Sequence, residues 1–329
     1  CPSGLRLPLQ VPLCQKARMT EITLSPKSRP LGKSGLSVSP LAWGMWRFAG
    51  NDVRAARERV EAALDAGMTL LDTADIYGPD NDEPFGASEL LLGKVLAEAP
   101  GLRDRMVLAS KGGIRMGVPY DSSPAYLVEA VDASLTRLGV ERIDLWQIHR
   151  PDMLAHPAET ARTLEGLVKA GKIGAIGVSN HTPAQTAALA AHMSLPLASI
   201  QPEFSPLATA PLFDGVLDQA MANDYAVLAW SPLGQGRLVG GDPRPGRAKP
   251  DDARTTAVKA LLKAHGERFG VGVSAVAYAW VMAHPSRPIP IVGTQTPARI
   301  AEAADAFKVS FTRAEWYAIL VASLGENLP

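Results

Sequence analysis

The chain has 329 residues, 47% of them apolar, enough for one large α/β domain or two ordinary ones around a substantial core. Its 33 Lys+Arg and 33 Asp+Glu balance, which gives no basic field for nucleic acid or for an anionic membrane surface. No apolar run approaches the roughly 20 residues of a spanning helix, since Val273–Ala283 is shorter and is interrupted by Tyr278 and Trp280. A soluble protein with no membrane partner is expected.

Both cysteines, Cys1 and Cys14, fall in the Leu- and Pro-rich stretch Cys1–Arg18, which shows neither helical nor strand period. That stretch, residues 1–18, reads as a disordered extension or an upstream-read segment, and 19–329 as a single domain. The cysteine-free remainder leaves no disulfide, thiolate metal site or catalytic Cys, so a reducing cytoplasm is the default location.

Thr20–Pro30 and Leu31–Val38 read as the arms of a hairpin turning at Gly32-Lys33-Ser34-Gly35. Short apolar strands then recur at Leu41–Trp43, Thr69–Ala74, Met106–Ser110, Ile143–His149, Ile173–Val178, Ala198–Gln201, Ala226–Trp230 and Ile289–Val292. Helical stripes lie between them, as in Leu127, Val131, Leu135 and Leu138, or Phe213, Val216, Leu217, Ala220 and Met221. Ser123-Pro124, Thr182-Pro183 and Thr296-Pro297 each place a hydroxyl at the N-cap and Pro at the first helical position. Gln185 completes a capping box with Thr182. Pro232–Asp252 reads as a long Gly-, Pro- and Arg-rich loop, and two helical patterns follow it. Thr312–Ser323 adds a last helix.

Alternating strands and helices leave a doubly wound sheet or a closed barrel. Near-equal units, and no G-x-G-x-x-G after the first strand, favour a (β/α)8 barrel with an N-terminal hairpin and an extra C-terminal helix.

In such barrels the working residues stand at the carboxyl ends of strands. Asp72 ends the second strand, Lys111 follows the third and His149 ends the fourth, with Tyr77 on the loop after Asp72. Each alone has a plain structural explanation; together at one mouth they make a chemical set. Lys111 would lower the pKa of Tyr77 by stabilising phenolate, and Asp72 would hold Lys111 in place and charged. Tyr77 becomes a proton donor to a developing alkoxide, and His149 a second hydrogen bond to the same oxygen. With no strong nucleophile and no metal spacing, the set suits carbonyl reduction by a hydride from a cofactor.

The motifs resemble the aldo-keto reductase family, from about Leu31 to Phe307. Asp72-Thr73-Ala74-Asp75-Ile76-Tyr77-Gly78, Gly86-Ala87-Ser88-Glu89, Ser134–Val140, Gly171–Gly174, Gly177-Val178-Ser179-Asn180, Trp230-Ser231-Pro232-Leu233-Gly234 and Ile291–Arg299 carry the resemblance. It implies an NADPH-dependent carbonyl reductase with a tetrad of Asp72, Tyr77, Lys111 and His149. It further implies that Ser179, Asn180 and Gln201 bind the carboxamide, Trp230 stacks on nicotinamide, and Trp46 lines the substrate mouth. Ser231, Pro232, Leu233, Gly234 and Gly236 would form the loop over the pyrophosphate, where absent side chains admit backbone N–H groups. Arg237, Arg244 and Arg247 in that loop either hold phosphate or are solvated, the latter being favoured for Arg244 and Arg247. At the 2′-phosphate end this chain has Gly293-Thr294 where a Lys-Ser pair is common; Arg299 remains, and Glu302 is placed to reach adenine. NADPH is therefore expected, with NADH use left open.

A small-molecule carbonyl substrate and a monomer are expected. The short tail ending at Pro329 suggests an open, tolerant pocket. The competing reading is a cofactor-binding regulatory or redox-sensing subunit on the same barrel.

Overall fold

The computed structural model describes residues 21–240 and 251–329; the expectation for residues 1–18 lies outside them. Two short strands, β1 (Arg29–Pro30) and β2 (Ser37–Val38), pair antiparallel. The barrel strands are β3 (Ala42–Gly44), β4 (Leu70–Asp72), β5 (Val107–Gly112), β6 (Ile143–Ile148), β7 (Ile173–Ser179), β8 (Leu197–Gln201), β9 (Ala226–Ala229) and β10 (Ile289–Val292). All pair in parallel with their sequence neighbours, and β10 closes on β3, which gives the expected closed eight-stranded barrel. Around it run α1 (Val53–Asp65), α2 (Ala87–Glu98), α3 (Pro124–Leu138), α4 (Pro157–Lys169), α5 (Pro183–Ala190), α6 (Val216–Asn223), α7 (Ala253–Phe269), α8 (Val273–Met282), α9 (Pro297–Glu302) and α10 (Arg313–Leu324). Among the described residues no helix is long and apolar enough to cross a membrane.

Period-two alternation sorts the strand residues into two cores. Leu70, Ala109, Leu145, Ala175, Ala198, Leu228 and Ile289 fill the barrel interior. Their neighbours Leu71, Leu108, Trp146, Ile176 and Val227 pack outward under the helices. Leu31 and Val38 of the hairpin join the interior group. Gly32 sits there at φ +55°, and a Cβ would meet the Ala198 carbonyl oxygen at 2.3 Å, so a side chain at this turn would push the hairpin off the barrel.

The hairpin arms are shorter than the sequence suggests; among the described residues before Arg29 only Ile22 pairs, in an isolated bridge to Phe311. Strand ends also shift by a residue or two, because single backbone bonds outlast the regular ladder. His149 N–H still donates to the Gly112 carbonyl at 2.8 Å and Trp230 N–H to that of Pro202 at 3.1 Å.

Ser123 caps α3, and Thr182 with Gln185 forms the capping box of α5. Thr296 occupies the cap position of α9, but its hydroxyl makes no capping bond. The stripe proposed from Phe213 to Met221 needs correction. Its helix starts only at Val216, after a tight turn at Ala210–Leu212, and Phe213 and Met221 are exposed while Val216, Leu217 and Ala220 are buried. The last helix docks through a reciprocal pair: Trp280 and Trp316 stack at 4.8 Å and 6°, each indole N–H donating to the other's carbonyl.

Candidate active site

Asp72, Lys111 and Gln147 each lie two positions beyond an interior residue, Leu70, Ala109 and Leu145, so alternation turns all three into the barrel. Lys111 is fully buried and Asp72 is 2% exposed. The ammonium donates to Asp72 Oδ2 at 2.7 Å, to the Thr73 carbonyl at 2.7 Å and to Tyr77 Oη at 3.0 Å. Its three N–H groups are thus all used. The other carboxylate oxygen, Asp72 Oδ1, accepts from Gln201 Nε2 at 3.1 Å and Gln147 Nε2 at 3.3 Å. This closed network fixes Lys111 under the phenol.

Burial alone would lower the Lys111 pKa, but Asp72 and Tyr77 together raise it above 10.5, so the ammonium stays charged. The Tyr77 phenol behaves differently from expectation. Burial pushes it above 10.0, Lys111 pulls it down and Asp72 pushes it up again. The effect of Lys111 has the anticipated sign, yet desolvation outweighs it, and the phenol keeps its proton at neutral pH. His149 sits edge-on to the Tyr77 ring at 5.8 Å and 79°. Burial, Lys111 and Arg150 hold its pKa well below 6.5, so the imidazole is neutral.

Ser179, Asn180, Gln201 and Trp230 come together at the ends of β7, β8 and β9. Asn180, at φ +59°, donates to Ser179 Oγ at 2.8 Å and to the His149 carbonyl at 3.3 Å, and accepts from Trp230 Nε1 at 3.0 Å. Ser179 Oγ donates to the Gln201 carbonyl at 3.0 Å. Gln201 Nε2 spends its second hydrogen on Gln147 Oε1 at 3.5 Å. Its own Oε1 is therefore the atom left to accept from an incoming amide.

The next loop turns repeatedly through left-handed backbone, with Ser231 at φ +50°, Gly234 at +58°, Gln235 at +57° and Gly236 at +87°. The amides of Gly234 and Gly236 donate back to Ser231 and Leu233, Pro232 has none, and those of Leu233 and Gln235 find no acceptor among the described residues. Two uncommitted amides in a left-handed turn of this kind suit an anionic ligand. Arg237 is drawn away to the start of α7, donating to Thr255 Oγ1 at 2.6 Å and pairing with Asp252 at 3.6 Å. Arg244 and Arg247 lie outside the described residues. Trp46 is half-buried at the mouth, its indole donating to Asp80 at 3.1 Å. Gly293 borders open space, Thr294 accepts from Trp43 Nε1 through its carbonyl at 2.9 Å, and Arg299 and Glu302 are exposed on α9.

Three residues escaped the sequence reading. Gln147 was detectable, since it shares the interior parity of Leu145. Gln295, whose Nε2 ties the end of β10 to the Gly44 carbonyl at 3.0 Å while its buried Oε1 has no partner among the described residues, gave no signal of its own. Arg150 sits beside His149 with its guanidinium over the Trp230 ring.

Comparison with known proteins first places the fold among oxidoreductase barrels. The solved glycerol dehydrogenase AKR11B4 from Gluconobacter oxydans superposes with a TM-score of 0.78 at 30% identity, covering 93% of this chain and 98% of that one. Residues 40–321 match the model of the Aldo/keto reductase family, and the chain belongs to that family of oxidoreductases, which generally use NAD(P)H. It is 52% identical over 313 residues to a 6-dehydroglucose reductase of Novosphingobium aromaticivorans, covering 94% of this chain and all of the relative. It is 34% identical over 221 residues to the L-glyceraldehyde 3-phosphate reductase of Escherichia coli, covering 64% of this chain and 63% of that protein.

Proposed function

We propose that the protein reduces aldehydes or ketones with NADPH, and that Tyr77 donates the proton. The observation that carries this is the bond from Lys111 Nζ to Tyr77 Oη at 3.0 Å. An ammonium only donates, so the phenol oxygen accepts there and its own proton is free for another acceptor. As that proton leaves, negative charge grows on an oxygen already bonded to a buried cation. Neutral His149 supplies a second hydrogen bond that orients the reacting oxygen, and Asp72, held by Gln147 and Gln201, keeps Lys111 charged and in place.

When bound, NADPH supplies the hydride that reaches the carbonyl carbon. Support for a nucleotide comes from the amides of Leu233 and Gln235, which have no acceptor among the described residues, the accepting Oε1 of Gln201 and the open space beside Gly293. Ser179, Asn180, Gln201 and Trp230 would hold the nicotinamide end; Ser231 to Gly236 the pyrophosphate; and Gly293, Thr294, Arg299 and Glu302 the adenosine end. The names of the relatives, both reductases, favour an aldehyde of sugar type as substrate. The cysteine-free barrel suits the cytoplasm, and we take the working unit to be a monomer.

The test is Tyr77→Phe. Removing the phenol proton should lower carbonyl-dependent NADPH oxidation by about 100-fold or more, the usual range for a general acid, while NADPH binding by fluorescence stays nearly unchanged. Turnover at the wild-type rate in that variant would refute the assignment.

A further inference from the structure

Arg150 follows His149 directly and is half-buried at the mouth. Its guanidinium carbon stands 5.7 Å from the centroid of the Trp230 ring, and its charge is felt by both Tyr77 and His149. Three carboxylates at or after the ends of barrel strands bond to other groups. Asp72 is held by Lys111 and two amides, Asp152 accepts from the Ser122 and Leu154 amides, and Glu203 accepts from Gln235. Among the described residues Arg150 makes no hydrogen bond or ion pair, although a guanidinium carries five N–H donors. A cation held on an aromatic face with its donors unspent is poorly explained by stacking alone.

We infer that Arg150 is a substrate-positioning residue, donating to an oxygen acceptor carried a short way along the substrate from its carbonyl. This rests on the reductase reading above, because it is the carbonyl oxygen at Tyr77 and His149 that brings the rest of the substrate under the guanidinium. The substrate class is then an oxygen-rich carbonyl compound. A hydroxyl and an anionic oxygen share that acceptor chemistry, and the two sources can be separated experimentally.

Steady-state kinetics of wild type, Arg150→Met and Arg150→Lys should be compared on glyceraldehyde, succinic semialdehyde and propanal. Loss of a hydrogen bond to a charged donor should raise KM about tenfold or more for the oxygen-bearing substrates in Arg150→Met, with propanal and every kcat little changed. A rise confined to glyceraldehyde identifies a hydroxyl as the partner; one confined to succinic semialdehyde, partly rescued by Arg150→Lys, identifies an anion. Equal losses on propanal, or a collapse of kcat on all three, would overturn the positioning role.

Binding of glycerate, which cannot be reduced this way, followed by saturation-transfer NMR, separates this inference from the reductase reading. Signals kept in Tyr77→Phe and lost in Arg150→Met support the role of Arg150 even if no aldehyde turns over. Equal binding to wild type and Arg150→Met, or no binding to wild type, refutes it.

Discussion

Lys111 donates to Tyr77 from below, across 3.0 Å, and the direction of that bond decides which way the phenol proton faces. Lys111→Met would leave Tyr77 without a cation and Asp72 buried without its counter-ion. Loss of one partner of a buried pair costs about 3–5 kcal/mol, so Lys111→Met should be inactive and also less stable, by urea unfolding. The double variant Lys111→Met/Asp72→Leu should recover much of the stability and none of the activity. Full stability in the single variant would contradict the closed network.

The pH dependence follows from the two displaced pKa values. Because Tyr77 is held above 10.0, kcat/KM for reduction should stay level through neutral pH and fall only above pH 10.0. His149, held well below 6.5, should contribute no limb near pH 6.5. Unfolded His149 takes up a proton below 6.5 and the folded residue does not. Its contribution to stability is therefore present above pH 6.5 and is lost as the pH falls toward the folded pKa. A His149→Gln variant should lose part of that acid-side slope in denaturant titrations.

Asp75 is fully buried, and among the described residues neither carboxyl oxygen has a well-formed hydrogen bond, the Ile76 amide lying nearest in effect. Burial, with Glu89 nearby, raises its pKa well above 3.8. A raised pKa stabilises the fold below pH 3.8 and loses that contribution as the pH climbs through the folded value. Asp75→Asn carries no such titration, so its unfolding free energy relative to wild type should rise between pH 4 and neutrality, by an amount on the order of 1–3 kcal/mol. A pH-independent difference would mean that the carboxyl never titrates in the fold.

Arg299 is exposed on α9, where a 2′-phosphate would be read by charge. Arg299→Ala should weaken NADPH binding about tenfold and leave NADH binding unchanged. Equal affinities for both nucleotides, insensitive to the substitution, would remove Arg299 from that role.

Trp316 anchors α10 on α8 through stacking and paired N–H bonds. Trp316→Ala should destabilise the protein by about 3–5 kcal/mol in equilibrium unfolding. Trp316→Phe, which keeps a smaller aromatic ring and loses the N–H, should cost less, about 1–3 kcal/mol.

Much of the fold was legible because strand and helix periods, prolines at helix starts and glycine turns are local signals. Thr182 with Gln185 shows this well, since four neighbouring residues contain the whole capping box. The limits were those of locality too. Phe213 kept helical spacing with Val216, but the tight turn at Ala210–Leu212 intervened, and exposure of Met221 is set by what lies outside the helix. At the site, Asp72, Lys111 and Gln201 could be placed by strand-end position, whereas their mutual bonding depended on the curvature of the closed barrel. Likewise the desolvation that lifts Tyr77 above its ordinary value is a property of the assembled mouth, invisible in the residue order.

Leu31 and Val38 plug the base of the barrel, and Gly32 lets them seat against β8. That end of the strand cylinder is thereby stoppered with apolar side chains, and the polar groups Asp72, Lys111 and Tyr77 stand toward the opposite end. On the mechanism proposed above, a proton given up by Tyr77 would be replenished from that opposite end.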